Sequence, residues 1–68
     1  MNKRSLTIEG HRTSVSLEPE FWDALKTVAA GRGVSLSSLV AEIDRARKDR
    51  SLSASLRVFV LAHYRGPG

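Results

Sequence analysis

The sequence predicts a mostly α-helical chain with one N-terminal β-strand, and three observations carry that expectation. Residues 12–17 read Arg-Thr-Ser-Val-Ser-Leu, which puts Thr13, Val15 and Leu17 on one face of a strand and Arg12, Ser14 and Ser16 on the other. No later segment resembles a partner strand, and everything after Leu17 follows helical periodicity. A lone strand leaves a row of backbone donors and acceptors unpaired, so a second copy of the chain is expected to complete it. The predicted assembly is an intertwined homodimer built around a two-stranded antiparallel ribbon.

Composition agrees with a small domain that needs help to bury its core. The chain has 68 residues and no cysteine, so neither disulfides nor thiolate metal sites support it. Its hydrophobic fraction of 41% argues against disorder, and dimerisation would supply a place to bury that surface. The net charge of +4 suits a polyanion such as nucleic acid or an acidic membrane surface, although solubility alone is the plainer explanation. No apolar run approaches the roughly 20 residues that span a bilayer. Met1-Asn2-Lys3-Arg4 leads into a mixed stretch rather than an apolar one, so no secretory signal is expected and the cytoplasm is the expected location.

Before the strand, Leu6 and Ile8 alternate with Ser5, Thr7 and Glu9, but carrying that parity through Gly10 would put Leu6 and Ile8 on the face of Arg12 and Ser14. Gly10 is therefore a bulge, a bend or the tip of a turn. As a turn it would let residues 5–8 pair with 12–17 inside one chain and weaken the case for the dimer. Glu9-Gly10 lacks the Asn-Gly or Asp-Gly signature of a tight hairpin, so the expectation stays with the dimer. Residues 1–9 are read as an N-terminal arm or strand extension. In it Lys3 and Arg4 are either phosphate contacts or a charged, disordered terminus.

The core of the domain, residues 10–50, continues with Glu18-Pro19-Glu20, a helix start: proline suits the first turn and carboxylates favour the positive dipole end. Phe21, Trp22, Ala24, Leu25, Val28 and Ala29 fall on one side of this helix, with Asp23, Lys26 and Thr27 opposite. Gly31-Arg32-Gly33 stops it. Ser35 caps a second helix with Ser37 and Ser38 in its first turn, and Leu36, Leu39, Val40 and Ile43 form its apolar stripe. Asp44 and Lys48, four apart, support it modestly. Arg45, Arg47, Lys48 and Arg50 around Asp49 read as a solvated helix end and linker.

Residues 51–65 form the last element, with a possible cap at Ser53. The run Leu56-Arg57-Val58-Phe59-Val60-Leu61-Ala62-His63-Tyr64 is apolar nearly all round. Its Val-Phe-Val centre also suits a strand, yet the length from Ser53 to Tyr64 favours a helix. Such a helix is expected to be buried, in the dimer core or against a partner. Residues 66–68 are a frayed tail.

A polar-alternating strand ending Leu-x-Pro-Glu, a helix closed by Gly-x-Gly and a second helix opening Ser-x-Ser resembles the ribbon-helix-helix DNA-binding family of the MetJ and Arc repressor type, over residues 11 to about 47. The phrase Leu-Arg-Val-Phe-Val-Leu-x-His-Tyr looks like a small bacterial subgroup with an added C-terminal helix. The resemblance implies a homodimer whose ribbon enters the major groove of double-stranded DNA, as a transcriptional repressor. It carries base reading to Arg12, Ser14 and Ser16, the same row that alternation sets apart, and implies a dimer core of Thr13, Val15, Leu17, Leu39 and Ile43. It also implies phosphate binding at the turn Ser35, Leu36, Ser37 and Ser38. A helix N-terminus with unpaired donors is a natural anion site on physical grounds too. Ser14 and Ser16 discriminate bases less sharply than long amides or basic side chains, which leaves most of any specificity to Arg12 on guanine. Some relatives, antitoxins among them, bind a protein through a C-terminal extension. Residues 53–64 are therefore a candidate protein-binding segment, and an interaction module is the alternative function.

Other chemistry finds little support. There is no cysteine nucleophile, no Gly-x-x-x-x-Gly-Lys phosphate loop, and Gly31-Arg32-Gly33 is too short for a dinucleotide fingerprint, so no enzyme and no cofactor are expected. His11 and His63 lack metal-pair spacing, and His63, one turn after Phe59, reads as a packed or interfacial histidine. Trp22 is expected to be a half-buried packing residue flanking its stripe. A membrane-surface role for the last helix is weakened by the absence of a cleanly basic face.

Overall fold

The computed structural model describes residues 2–66 and shows two strands followed by three helices: β1 (Asn2–Ile8), β2 (His11–Leu17), α1 (Pro19–Arg32), α2 (Leu36–Ala46) and α3 (Leu52–Arg65). Met1, Pro67 and Gly68 lie outside the described residues, so only Gly66 of the expected tail is seen.

The first correction concerns the strand. β2 is not alone: it pairs antiparallel with β1 of its own chain, from Asn2 opposite Leu17 to Ile8 opposite His11. Glu9 and Gly10 make the connection, with φ of 52° and 82°. Positive φ at both central residues is the primed-turn geometry whose twist matches that of the strands. Gly10 is thus the tip of a turn, and the absent Asn-Gly signature misled because Glu9 takes the left-handed conformation itself. Within residues 1–9, expected as an arm or strand extension, Asn2–Ile8 form a strand. An unpaired β2 therefore no longer argues for a second copy.

Pairing across this turn resolves the parity break, because opposite residues in an antiparallel ladder share a face. Leu6, Ile8, Val15 and Leu17 turn toward the helices, with Ile8, Val15 and Leu17 buried. Lys3, Ser5, Thr7, Arg12, Ser14 and Ser16 share the other face.

α1 begins where expected. Pro19 occupies its first turn, Glu20 adds a carboxylate, and the Glu18 carbonyl accepts from the N–H groups of Phe21 and Trp22 at 3.0 and 3.2 Å. Its buried stripe is Trp22, Leu25, Val28 and Ala29. Trp22 is not half-buried but fully enclosed, the largest such side chain among the described residues. The helix runs through Gly31 and ends at Gly33, whose φ of 70° lets the N–H groups of Gly33 and Val34 turn back to Ala30 and Ala29.

Ser35 caps α2 as expected, accepting from the Ser38 N–H at 3.1 Å. The helix buries Leu39, Val40, Ala41 and Ile43. Asp44 pairs with Arg47 at 2.6 Å rather than with Lys48, because the chain leaves the helix after Ala46 and carries Lys48 away. Arg47 also donates to the Arg50 carbonyl at 2.9 Å, which braces the linker.

The last element is a helix, as its length suggests, but its cap is Ser51, which accepts from the Ala54 N–H at 3.2 Å, and not Ser53. Nor is it buried all round. Ser55, Leu56 and Val60 enter the core, whereas Val58, Leu61 and Tyr64 are 41%, 56% and 61% exposed. His63 is exposed and edge-on to Tyr64, not packed. α3 packs on β2, α1 and α2, so Val15, Leu17, Leu39 and Ile43 are buried within one chain, while Thr13 is half-buried. α3 covers part of the apolar surface expected to need a partner and leaves Val58, Leu61 and Tyr64 of its own exposed.

Candidate nucleic-acid interface

The hairpin sets six polar side chains on one open face. Across the ladder Lys3 lies opposite Ser16, Ser5 opposite Ser14 and Thr7 opposite Arg12, and all but the half-buried Ser16 are exposed. Neither strand contains a carboxylate. The carboxylates that bracket the hairpin are each engaged by a helix arginine: Glu9 by Arg45, and Glu18 by Arg57 at 3.1 Å. The face is therefore cationic at both ends and lined by hydroxyls between, a composition suited to phosphate oxygens and base edges.

Arg12, Ser14 and Ser16, picked out by alternation, stand in one row on β2. Lys3 and Arg4 do not act together as an arm, since both lie in β1 and face opposite ways. Lys3 joins the polar face. Arg4 sits opposite Val15 on the helix side, its guanidinium 5.3 Å from the centre of the Trp22 ring. A cation over an indole face is attracted by the ring quadrupole. Ser5 and Thr7, which share this face, were not singled out from the sequence. Their signal was present in the alternation of residues 3–9, but it was read without a partner strand.

The α2 N-terminus meets the hairpin near its tip. Thr7, Glu9, Ser37, Ser38, Ala41 and Arg45 surround an open hollow of about 290 Å³. Ser35 spends its hydroxyl oxygen on the Ser38 N–H and donates its own proton to the Ser38 hydroxyl at 2.9 Å. Leu39 is the first residue to close a helical bond, to the Ser35 carbonyl at 3.1 Å. The N–H groups of Leu36 and Ser37 are thus left at the positive end of the helix dipole.

A family model described as Ribbon-helix-helix domain matches residues 1–64. The chain belongs to the ribbon-helix-helix family. Domains of this family are commonly DNA-binding, transcription-regulating modules, and the fold is a non-enzymatic one. No curated protein and no solved structure matches the chain. Among the described residues, no helix is long and apolar enough to cross a membrane, and no group of three or more histidines and carboxylates is placed to hold a metal ion.

Proposed function

We propose that this chain binds double-stranded DNA sequence-selectively, as a homodimeric transcriptional repressor of the cytoplasm, with Arg12, Ser14 and Ser16 reading bases in the major groove. The observation that carries the reading is the carboxylate-free polar face of the hairpin. The two β2 strands that a dimer would bring together stand about 4.8 Å apart, inside the roughly 12 Å of the major groove, while the outer β1 strands, about 14 Å across from one another, would reach its rims.

The dimer rests on an open edge. A turn with two central residues closes the ladder at the Ile8–His11 pair, and antiparallel pairs alternate in hydrogen bonding, so Arg12, Ser14 and Ser16 direct their N–H and C=O groups away from β1. A second β2 docked there in antiparallel fashion makes a sheet with two β2 strands at its centre. The two base-reading rows then lie side by side, and the β1 strands carry Lys3 out toward the phosphates at the groove rims. The α2 turn Ser35, Leu36, Ser37 and Ser38 takes phosphate on either flank. Thr13, Val15, Leu17, Leu39 and Ile43 form the core beneath the joined sheets.

Selection of bound oligonucleotides from a random pool tests this. A palindromic consensus is expected, with affinity falling steeply between low and physiological salt as counterions are released. A pool that yields no consensus, or salt-independent binding, overturns it.

A second reading has its own observation. Val58, Leu61 and Tyr64 lie exposed along α3 beside a groove of about 320 Å³ that also touches Phe21 and Val60. An apolar stripe of this kind suits a protein partner held through residues 53–64, as in an antitoxin-like interaction module. Capture of one defined partner that is lost on Leu61→Ala, with no DNA consensus, favours that reading.

A further inference from the structure

We infer that the exposed apolar stripe of α3 is the lower layer of a homodimer interface, covered by α3 and the start of α1 of a second copy of this chain. The inference rests on the paired-strand dimer proposed above and assigns a surface that strand pairing leaves open.

Helix packing places the stripe. α2 packs against β1 and α3 against β2, so the outer flank of α3 lies on the same side of the molecule as the open edge of β2. The hydrogen bond from Arg57 to Glu18 holds α3 there, since Glu18 directly follows the last residue of β2. Leu56 and Val60 turn inward, Val58 and Leu61 project from the opposite side, and Tyr64 continues the row one turn past Leu61. A two-fold axis through a pair of β2 strands therefore brings two such flanks together beneath the sheet.

Area and chemistry point to the same occupant. The seven residues of β2 span about 23 Å and a sheet edge is about 10 Å deep, so strand pairing alone has a footprint of roughly 230 Å² on each copy. A specific interface covers about 800 Å² per partner, and the difference has to come from what lies under the strands. There the groove of about 320 Å³ is lined by Phe21, Val58, Val60, Leu61 and Tyr64. Its one charged wall residue among the described residues is Arg57, whose Nε is already committed to Glu18. A two-fold interface uses the same patch on both copies, so the patch must complement itself. An uncharged stripe beside an uncharged groove meets that condition, with Leu61 of each copy entering the groove of the other.

Sedimentation equilibrium of the purified full chain tests this with two variants that disturb different layers. Leu61→Glu places a carboxylate on the stripe at a position that is exposed in the single chain, so helical circular dichroism should persist while the dimer dissociation constant rises at least tenfold. Ser14→Pro removes an outward N–H from the β2 edge and leaves the stripe intact. Because the chain has no cysteine, Leu61→Cys introduces a single thiol, and a short bis-maleimide should join two copies through it, whereas Glu42→Cys, on α2 beneath β1, should stay unlinked. Dimerisation lost in Ser14→Pro but unchanged in Leu61→Glu would keep the strand pairing and overturn the helical layer. Dimerisation lost in Leu61→Glu but unchanged in Ser14→Pro would keep the helical layer and overturn the strand pairing. Equal cross-linking at positions 61 and 42 overturns the layer, and a parent chain that sediments as a monomer at micromolar concentration overturns both.

Discussion

Arg57 of α3 donates from Nε to Oε1 of Glu18 at 3.1 Å, joining two residues 39 positions apart and tying the last helix to the junction of β2 and α1. The Glu18 backbone N–H, and then the Arg57 guanidinium, hold the Glu18 carboxyl below its ordinary range. A carboxyl lowered in the folded state favours folding at pH above its unfolded value, and that contribution is lost as pH falls through the lowered folded value. Glu18→Gln is therefore expected to lower the melting temperature at neutral pH and to converge with the parent chain in acid. Parallel melting curves at all pH values would remove the ion pair from the stability of the fold.

At the hairpin tip Gly10 has φ of 82°, and a Cβ there meets nothing within 4 Å. Gly10→Ala should cost about 1 kcal/mol through backbone conformation alone. Urea unfolding measures it. A neutral result would mean that the turn relaxes to another type.

Gly31 and Gly33 are two residues apart and should respond in opposite directions. Gly31 lies inside α1 with open space around it, so Gly31→Ala should stabilise by about 0.5–1 kcal/mol. Gly33 caps the helix at φ of 70°, and Gly33→Ala should destabilise by about 1 kcal/mol. Thermal unfolding of the pair decides, and the same sign for both would place the helix end elsewhere.

Arg12→Ala should weaken specific DNA binding by about 1–3 kcal/mol and relax selectivity at one base position, while Lys3→Ala should weaken all sequences alike and lower the salt slope by about 1. Neither side chain is buried, so the fold should hold. Gel-shift titration on the selected site separates the two, and a uniform loss with Arg12→Ala would move it to the phosphate contacts.

Ser14 directs its N–H outward from the hairpin, so Ser14→Pro removes a donor that only a second chain would use. The dimer should dissociate at least tenfold more readily while the chain keeps its helical circular dichroism. Sedimentation equilibrium reads the result. A parent chain that is monomeric at micromolar concentration would end the dimeric reading.

Much of this architecture was written in local chemistry. Pro19 and the serine at 35 marked helix starts, a glycine marked the end of α1, and apolar spacing named the buried residues of α1 and those of α2 except Ala41. The same alternation placed Arg12, Ser14 and Ser16 on one exposed or half-buried row. What escaped was pairing. The parity break at Gly10 was visible, but whether it meant a bulge or a turn depended on Glu9 tolerating a left-handed backbone, which no residue-type rule favours. Reading residues 1–9 as an arm or strand extension then hid Ser5 and Thr7 and sent the apolar surface in search of a partner. α3 misled in the other direction: its residues are apolar all round, yet only one side faces the core, because the two-stranded sheet and two preceding helices are too small to enclose it.

The register of the hairpin also limits how this fold can vary. Since each side chain of β1 is matched to one across the ladder, adding or deleting a single residue between Ile8 and His11 would turn Lys3 inward and Leu6 outward together. Length variation at this bend should come in steps of two, or carry a compensating bulge.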